Sequence, residues 1–200
     1  GVTTIHVRVV DLTPTNISWN TTMFTLEANV SVILNATNLG PSIDTWEIAP
    51  ALPPGLAMSG DTGAINGTPI QRSGWATYQI WANNTGGSLS TNLTFAVHDL
   101  DADYLDITAG VSAVDYGGSW PSLIIPIGDW SFPVGLDWDE RPIISAGHVG
   151  MGKVVGYGHE TMVWRASGDE GNLSMNALKW ACDGGLKVAL ASDFNSWQTT

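Results

Sequence analysis

Cysteine is all but missing: Cys182 is the single one in 200 residues, so there is no internal disulfide framework and the redox compartment stays open. Charge is scarce too, at 13% of residues against roughly 25% in an average soluble domain. Cations are the scarcest, with 7 Lys+Arg facing 19 Asp+Glu for a net charge of −12. A chain this acidic repels phosphate backbones and anionic lipid surfaces, which excludes nucleic acid as a partner. No apolar run approaches about 18 residues, which excludes membrane insertion within this segment. The sequence opens at Gly1 without Met or a charged-then-apolar leader, so a processed or excised segment is expected. Catalytic signatures are missing as well. There is no Gly-x-Ser-x-Gly elbow, P-loop or dinucleotide fingerprint, and His159-Glu160 runs into Thr161-Met162-Val163, with Val163 where a zinc protease needs its second His. No catalytic residue is assigned, no cofactor is required, and the chain is expected not to be an enzyme.

What is present is apolar material and asparagine. A hydrophobic content of 44% is enough for real cores. Eight of the 12 Asn open an Asn-X-Ser/Thr acceptor: Asn16, Asn20, Asn29, Asn35, Asn66, Asn83, Asn92 and Asn172. With 35 Ser and Thr in the chain, chance supplies about two such acceptors. The excess points to an exported, extracellular or cell-surface glycoprotein whose covalent N-glycans supply the solvation that the scarce charges do not.

From Asp11 to Leu100 the chain reads as β structure. Met23–Ala28, Val30–Asn35, Ala76–Ala82 and Asn92–His98 alternate in polarity, and Asn84-Thr85-Gly86-Gly87 reads as a hairpin turn. Short strands at regular spacing with Gly/Pro turns predict a β-sandwich over residues 13–100. Three stretches carry a resemblance: Trp46–Leu56 with Leu52-Pro53-Pro54-Gly55-Leu56, Asp61–Pro69 with Thr62-Gly63-Ala64-Ile65-Asn66-Gly67-Thr68-Pro69, and Tyr78–Gly87. Together they resemble the immunoglobulin-like, cadherin-like tandem repeat of large microbial surface proteins, with motif spacing intact over about 90 residues. The resemblance implies a surface module with no catalytic residues to carry over.

Residues 3–12 align with residues 91–100 at a fixed offset of 88, with Ile5, Val7 and Val9 in phase with Leu93, Phe95 and Val97. That period is one immunoglobulin-like domain, so residues 1–12 read as an orphan strand. Two origins remain open for it: a cut from a tandem array, or a donor strand that inserts into a neighbouring copy through Ile5, Val7 and Val9.

Beyond Asp101 the composition shifts and the chain predicts a smaller, Trp-rich mixed α/β domain over 101–200, incomplete at its C-terminus. Ser122–Ile127, Pro142–Ala146 and Lys153–Tyr157 read as strands and Gly147–Gly152 as a turn. Asn172–Ala181 is the one clear helix, ended by Asp183-Gly184-Gly185, and Leu186–Ala191 reads as a buried strand. Gly150–Glu160 with Asn176–Trp180 is similar to the amidotransferase-like accessory domain found beside some mucin-directed metallopeptidases, over about 60 residues. Cys182, at the C-terminal end of the helix, is expected to pack rather than react.

Several constellations have two readings. His148 and His159 flank the Gly-rich turn and could join Glu160 or Asp129 in a two-His, one-carboxylate site, or simply donate to backbone carbonyls. Asp101, Asp103 and Asp106, near Asp99, stand at near-alternate positions and are the candidate calcium ligands, against a solvated acidic linker; Asp137, Asp139 and Glu140 form a second group. Ten Trp exceed the needs of such a core, and Trp75, Trp81, Trp130, Trp138 and Trp197 fall in expected loops, open to sugar stacking or subunit contact. The function expected from these readings is a structural subunit of an extracellular glycosylated filament, pilus-like fibre or surface layer, its partners being copies of itself and glycans. The alternatives are a glycan-binding adhesin and an accessory region of an extracellular carbohydrate- or mucin-degrading enzyme.

Overall fold

The computed structural model describes residues 3–4, 6, 11–115, 120–159 and 168–182. The chain divides into two compact units, Gly1–Asp99 and Leu100–Thr200. It is mainly β, an immunoglobulin-like sandwich followed by a mixed α/β unit.

The first unit runs β1 (Ile17–Ser18), β2 (Met23–Glu27), β3 (Val32–Leu34), β4 (Thr37–Asn38), β5 (Thr45–Ala49), β6 (Leu56–Met58), β7 (Ile65–Gly67), β8 (Ser73–Asn84) and β9 (Gly87–His98). One sheet has the order β2-β9-β8-β5 and the facing one β3-β7-β6, with β1 and β4 paired beside them. Period-two patterning sets the faces: Tyr78, Ile80 and Ala82 of β8 point inward while Thr77 and Gln79 are exposed. Phe95 of β9 is fully buried, stacked on Tyr78 at 4.5 Å and on Phe24 at 5.2 Å. β8 and β9 close through the two residues Thr85-Gly86, with Asn84 opposite Gly87. Asn84 fixes this hairpin to the chain's entry, since its amide donates to the Leu12 and Ser42 carbonyls at 2.7 and 2.9 Å.

The glycines of the repeat pattern have steric reasons. Gly63 has φ of +71°, and a Cβ there would stand 2.6 Å from the Trp46 indole. Gly55 (φ +94°) lies against Gly67, its carbonyl accepting the Thr68 N–H at 3.0 Å, and a Cβ on Gly55 would reach 1.9 Å from the Thr68 oxygen.

The second unit runs α1 (Leu100–Thr108), β10 (Ser131–Leu136), β11 (Pro142–Val149), β12 (Gly152–Tyr157) and α2 (Gly168–Cys182), with β10, β11 and β12 in one antiparallel sheet. Three expectations change. The acidic junction is not extended but forms α1, whose first turn carries Asp101 and Asp103, where the helix dipole favours negative charge. Ser122–Ile127 is not a strand: the Ser122 and Ile124 N–H groups donate singly to the Gly158 and Pro142 carbonyls at 2.8 Å, and Pro121 and Pro126 have no donor to extend a ladder. Helix α2 begins at Gly168 rather than Asn172. The expected strand Leu186–Ala191 and the helix stop at residues 183–185 lie outside the described residues.

The core of this unit joins Ile107 of α1, Phe132 and Ile144 of the sheet, and Leu173, Ala177 and Trp180 of α2. At its centre stands one buried carboxylate. Asp103 accepts the Trp180 indole N–H at 2.8 Å on one oxygen and pairs with His148 Nε2 at 2.7 Å on the other. The His148 ring meets the Trp180 indole edge-on at 5.4 Å. Lys153 completes the cluster, lying 5.0 Å from the centre of the indole ring and donating to the Trp180 carbonyl at 3.0 Å. Position 103 thus ties α1, β11 and α2 together. Replacing Asp103 by Ala removes the acceptor shared by Trp180 and His148 and is expected to lower the stability of this unit by about 2–5 kcal/mol. Trp180→Phe, which costs one donor but keeps an aromatic ring, is expected to cost about 1–3 kcal/mol. Urea unfolding of both variants checks the ranking; equal losses would remove Asp103 from the centre of the fold.

Candidate functional site

Two pinned loops of the second unit form a groove. The first is the chain leaving α1, which is fastened along α2 by four side chains. Asn176 donates to the Ile107 and Ala109 carbonyls at 3.2 and 2.8 Å, and Asn172 to the Gly110 carbonyl at 3.4 Å. Asp169 accepts the Ser112 and Ala113 N–H groups at 2.7 and 2.9 Å on one oxygen, and Glu170 accepts the Asp115 N–H at 3.0 Å. Both carboxylates sit in the first turn of α2, where the helix dipole also favours them. The Ala113 N–H, followed by that of Ser112, holds the Asp169 carboxyl below the ordinary carboxylate range.

The second loop joins β10 to β11 and is closed by Asp137. One of its oxygens accepts the Asp139 and Arg141 N–H groups at 3.0 and 2.9 Å; the other accepts Arg141 Nε at 2.8 Å and lies 2.6 Å from Nη2. Arg141 Nη2 also reaches Asp139 at 3.1 Å. The Arg141 side chain is the largest cause that holds the Asp137 carboxyl below its ordinary range. Glu140 turns the chain at φ +60°.

Between these loops lies a groove of about 770 Å³, bordered by Trp120 and Trp138. Trp120 is 88% exposed and Trp138 is 91% exposed. The groove thus places two large aromatic rings in water beside loops fastened by hydrogen bonds, and exposed aromatic surface of this kind marks a candidate binding site.

The residues singled out from the sequence are distributed as follows. Of the acceptor asparagines, Asn16, Asn20, Asn29, Asn35, Asn66, Asn92 and Asn172 are exposed. Asn83 is half-buried, its amide donating to Glu47 at 3.4 Å and its oxygen accepting from Ser88 at 2.6 Å. Asp101, Asp103 and Asp106 do not form the expected calcium site. On a helix they diverge, Asp103 being buried against Trp180 and His148 while Asp101 and Asp106 face outward. Among the described residues no three His, Cys, Asp or Glu side chains converge on a metal position. His148 pairs with Asp103 rather than with His159. Glu160, Trp197 and the strand residues Ile5, Val7 and Val9 lie outside the described residues. Trp138 is exposed as expected, whereas Trp75, Trp81 and Trp130 are half-buried. Trp120 and the latch residues Asp169 and Glu170 were not singled out by the sequence, although the Asp137/Arg141 spacing of four gave a visible sign of that ion pair.

The class that these features define is an immunoglobulin-like sandwich joined to a mixed α/β domain, and the family model described as "Putative Ig domain" matches residues 13–98. A second model, TCAF_N, described as "TRPM8, N-terminal domain", matches residues 86–196, more than half of the chain. The chain belongs to that family. Relatives include TRPM8 channel-associated factor 1 of Homo sapiens, 35% identical over 91 residues, and the TRPM8 channel-associated factor homolog of Danio rerio, 31% identical over 81 residues. The matches cover 44% and 40% of this chain but only 10% and 8% of those proteins, so the chain spans about a tenth of its relatives' length. Among solved structures, tandem Ig repeats of Dlar are similar at 14% identity over 42% of this chain and 49% of that chain, with a TM-score of 0.31. The N-terminal four Ig domains of Dscam1 are similar at 13% identity over 41% of this chain and 21% of that one, with a TM-score of 0.32. The expected partners, copies of this chain in a polymer and glycans, are corrected by the relatives, whose names record association with a channel. Those names do not point to a filament, an adhesin or a degrading enzyme. Among the described residues no helix is long and apolar enough to cross a membrane.

The two pinned loops have a definite acid response. Asp137 and Asp169 have lowered folded-state values, so their contribution is present above the ordinary carboxylate value of 3.8 and is lost as pH falls through the lower folded values. In carboxyl NMR titrations both are expected to titrate below 3.8. The Ser112, Ala113, Asp139 and Arg141 amides should shift in step with them. Carboxyls that titrate at or above 3.8 would mean that the latches are not formed.

Proposed function

We propose that this chain is a non-catalytic accessory segment of a larger exported protein, and that its second unit docks a protein partner through the groove between Trp120 and Trp138. The observation that carries this reading is the pair of exposed indoles that border one groove, Trp138 on the loop closed by Asp137 and Trp120 lining the same groove as the carboxylate-fastened chain that leaves α1. Kinship supports the same direction. The relatives are named as factors associated with the channel TRPM8, so a channel protein is the partner class that this kinship suggests. The sandwich is read as a spacer of the microbial surface-repeat type that holds the docking unit away from its neighbours. Seven exposed acceptor asparagines are the proposed glycan sites, with Asn83 the poorest acceptor because its amide is already engaged. A second reading, an accessory region beside a carbohydrate- or mucin-directed hydrolase, has support in the amidotransferase-like residue pattern of Gly150–Glu160 and Asn176–Trp180.

Photo-crosslinking in the native source separates these readings. With a benzophenone amino acid at position 120 or 138, the protein is expected to capture a membrane channel protein; the same label at Ser90, on the sandwich, should not. Equal capture from all three positions, or none from 120 and 138, would sink the docking reading. Intact mass of the native protein is expected to exceed that of its polypeptide in discrete glycan steps, with Asn83 unoccupied in site mapping. A mass equal to the bare polypeptide would end the glycoprotein proposal.

A further inference from the structure

We infer that the groove between Trp120 and Trp138 selects a cationic, Arg- or Lys-containing apolar segment of the partner protein. This inference rests on the docking reading above and adds the partner's chemistry. It follows from the charges that line the groove and from which of them are already in use. Among the described residues the lining contains four carboxylates, on Asp115, Asp137, Asp139 and Glu170, against one guanidinium, on Arg141.

Arg141, 43% exposed, is held by Asp137 at 2.6 Å and Asp139 at 3.1 Å, so the cation of the described lining is already paired with the groove's own carboxylates. An anionic segment would have to compete with Asp137 and Asp139 for Arg141 against the negative charge that remains. Asp139 is different from Asp137 in position: its side chain is 71% exposed, against 4% for Asp137, so its carboxylate faces an incoming ligand. A purely apolar segment would strip water from that carboxylate without replacing it. A guanidinium or ammonium satisfies both surfaces, because it pairs with a carboxylate and lies favourably over the electron-rich face of an indole. Apolar side chains on either side of it cover the rest of Trp120, Trp138 and Pro121. The net charge of −12 adds long-range attraction for the same class of partner.

The probe is a fluorescein-labelled peptide that alternates Arg and Leu, with two counterparts carrying Glu or Ser in place of every Arg. Each is titrated with the full chain by fluorescence anisotropy, at low and at moderate salt. The Arg peptide is expected to bind, to weaken at least fivefold with salt, and to weaken at least fivefold in Trp120→Ala and in Trp138→Ala. Asp139→Lys should weaken it at least tenfold. Asp61→Lys, which makes the same charge change on an exposed turn of the sandwich, should change it less than twofold. The Glu peptide should not bind. All the altered side chains are exposed, so the melting transition of every variant should match the parent.

No binding of the Arg peptide overturns the inference, and so does binding that both Trp variants leave unchanged, which marks plain attraction to an acidic chain. If the Ser peptide binds as well as the Arg peptide and is equally sensitive to both Trp changes, the groove docks an apolar segment; cation selection then fails while the docking reading stands. The docking reading itself is decided by the crosslinks at 120 and 138.

Discussion

The second unit depends on a carboxylate that it buries. A lone ionised group in an apolar core is prohibitively costly, and Asp103 is tolerable there because each of its oxygens has a partner supplied by a different element. That requirement is geometric as well as energetic. Helix α1 must lie where Asp103 can reach Trp180, and α2 must present its indole edge while β11 turns His148 inward. Once those three are placed, the chain leaving α1 runs beside α2, where Asn176, Asn172, Asp169 and Glu170 can hold it. One wall of the groove thus lies along a helix whose place the two contacts of Asp103 help to fix.

The same residues explain what the sequence could reveal. The sandwich was legible because its signals are local: alternation along β8 and β9, a two-residue Gly turn, and glycines at positions where a Cβ would meet Trp46 or the Thr68 carbonyl. The acidic junction was misread because carboxylates spaced by two and three residues suit an extended ladder as well as a helix. What decided for the helix is the burial of Asp103 and Ile107, four apart on one face, against groups far along the chain. Asp103 meets His148 across 45 positions and Trp180 across 77, and no periodicity encodes such meetings.

Half of the groove was visible on similar grounds. Trp138 lies in an Asp-rich loop and invited attention as an exposed aromatic, and the four-residue spacing of Asp137 and Arg141 permitted their ion pair. Trp120 carried no such mark. It precedes Ser122–Ile127, which sequence alternation cast as a strand but which meets the sheet edge through isolated backbone bonds at Ser122 and Ile124. The role of the acidic residues as backbone acceptors was likewise not visible in the sequence. Asp137, Asp169 and Glu170 spend lone pairs on backbone N–H groups, so these three carboxylates work as internal fastening.

The pairing of β2 with β9 has a mechanical meaning. These strands stand near the entry and the exit of the sandwich, and they run parallel in register from Met23 beside Thr94 to Glu27 beside His98. Tension applied between the two ends of the domain pulls parallel neighbours in opposite directions along their length. All the hydrogen bonds between them are then loaded together in shear, instead of being peeled one after another as at an antiparallel hairpin. A domain wired in this way transmits force with little extension, so a partner held on one side of it would feel a pull on the other almost undiminished.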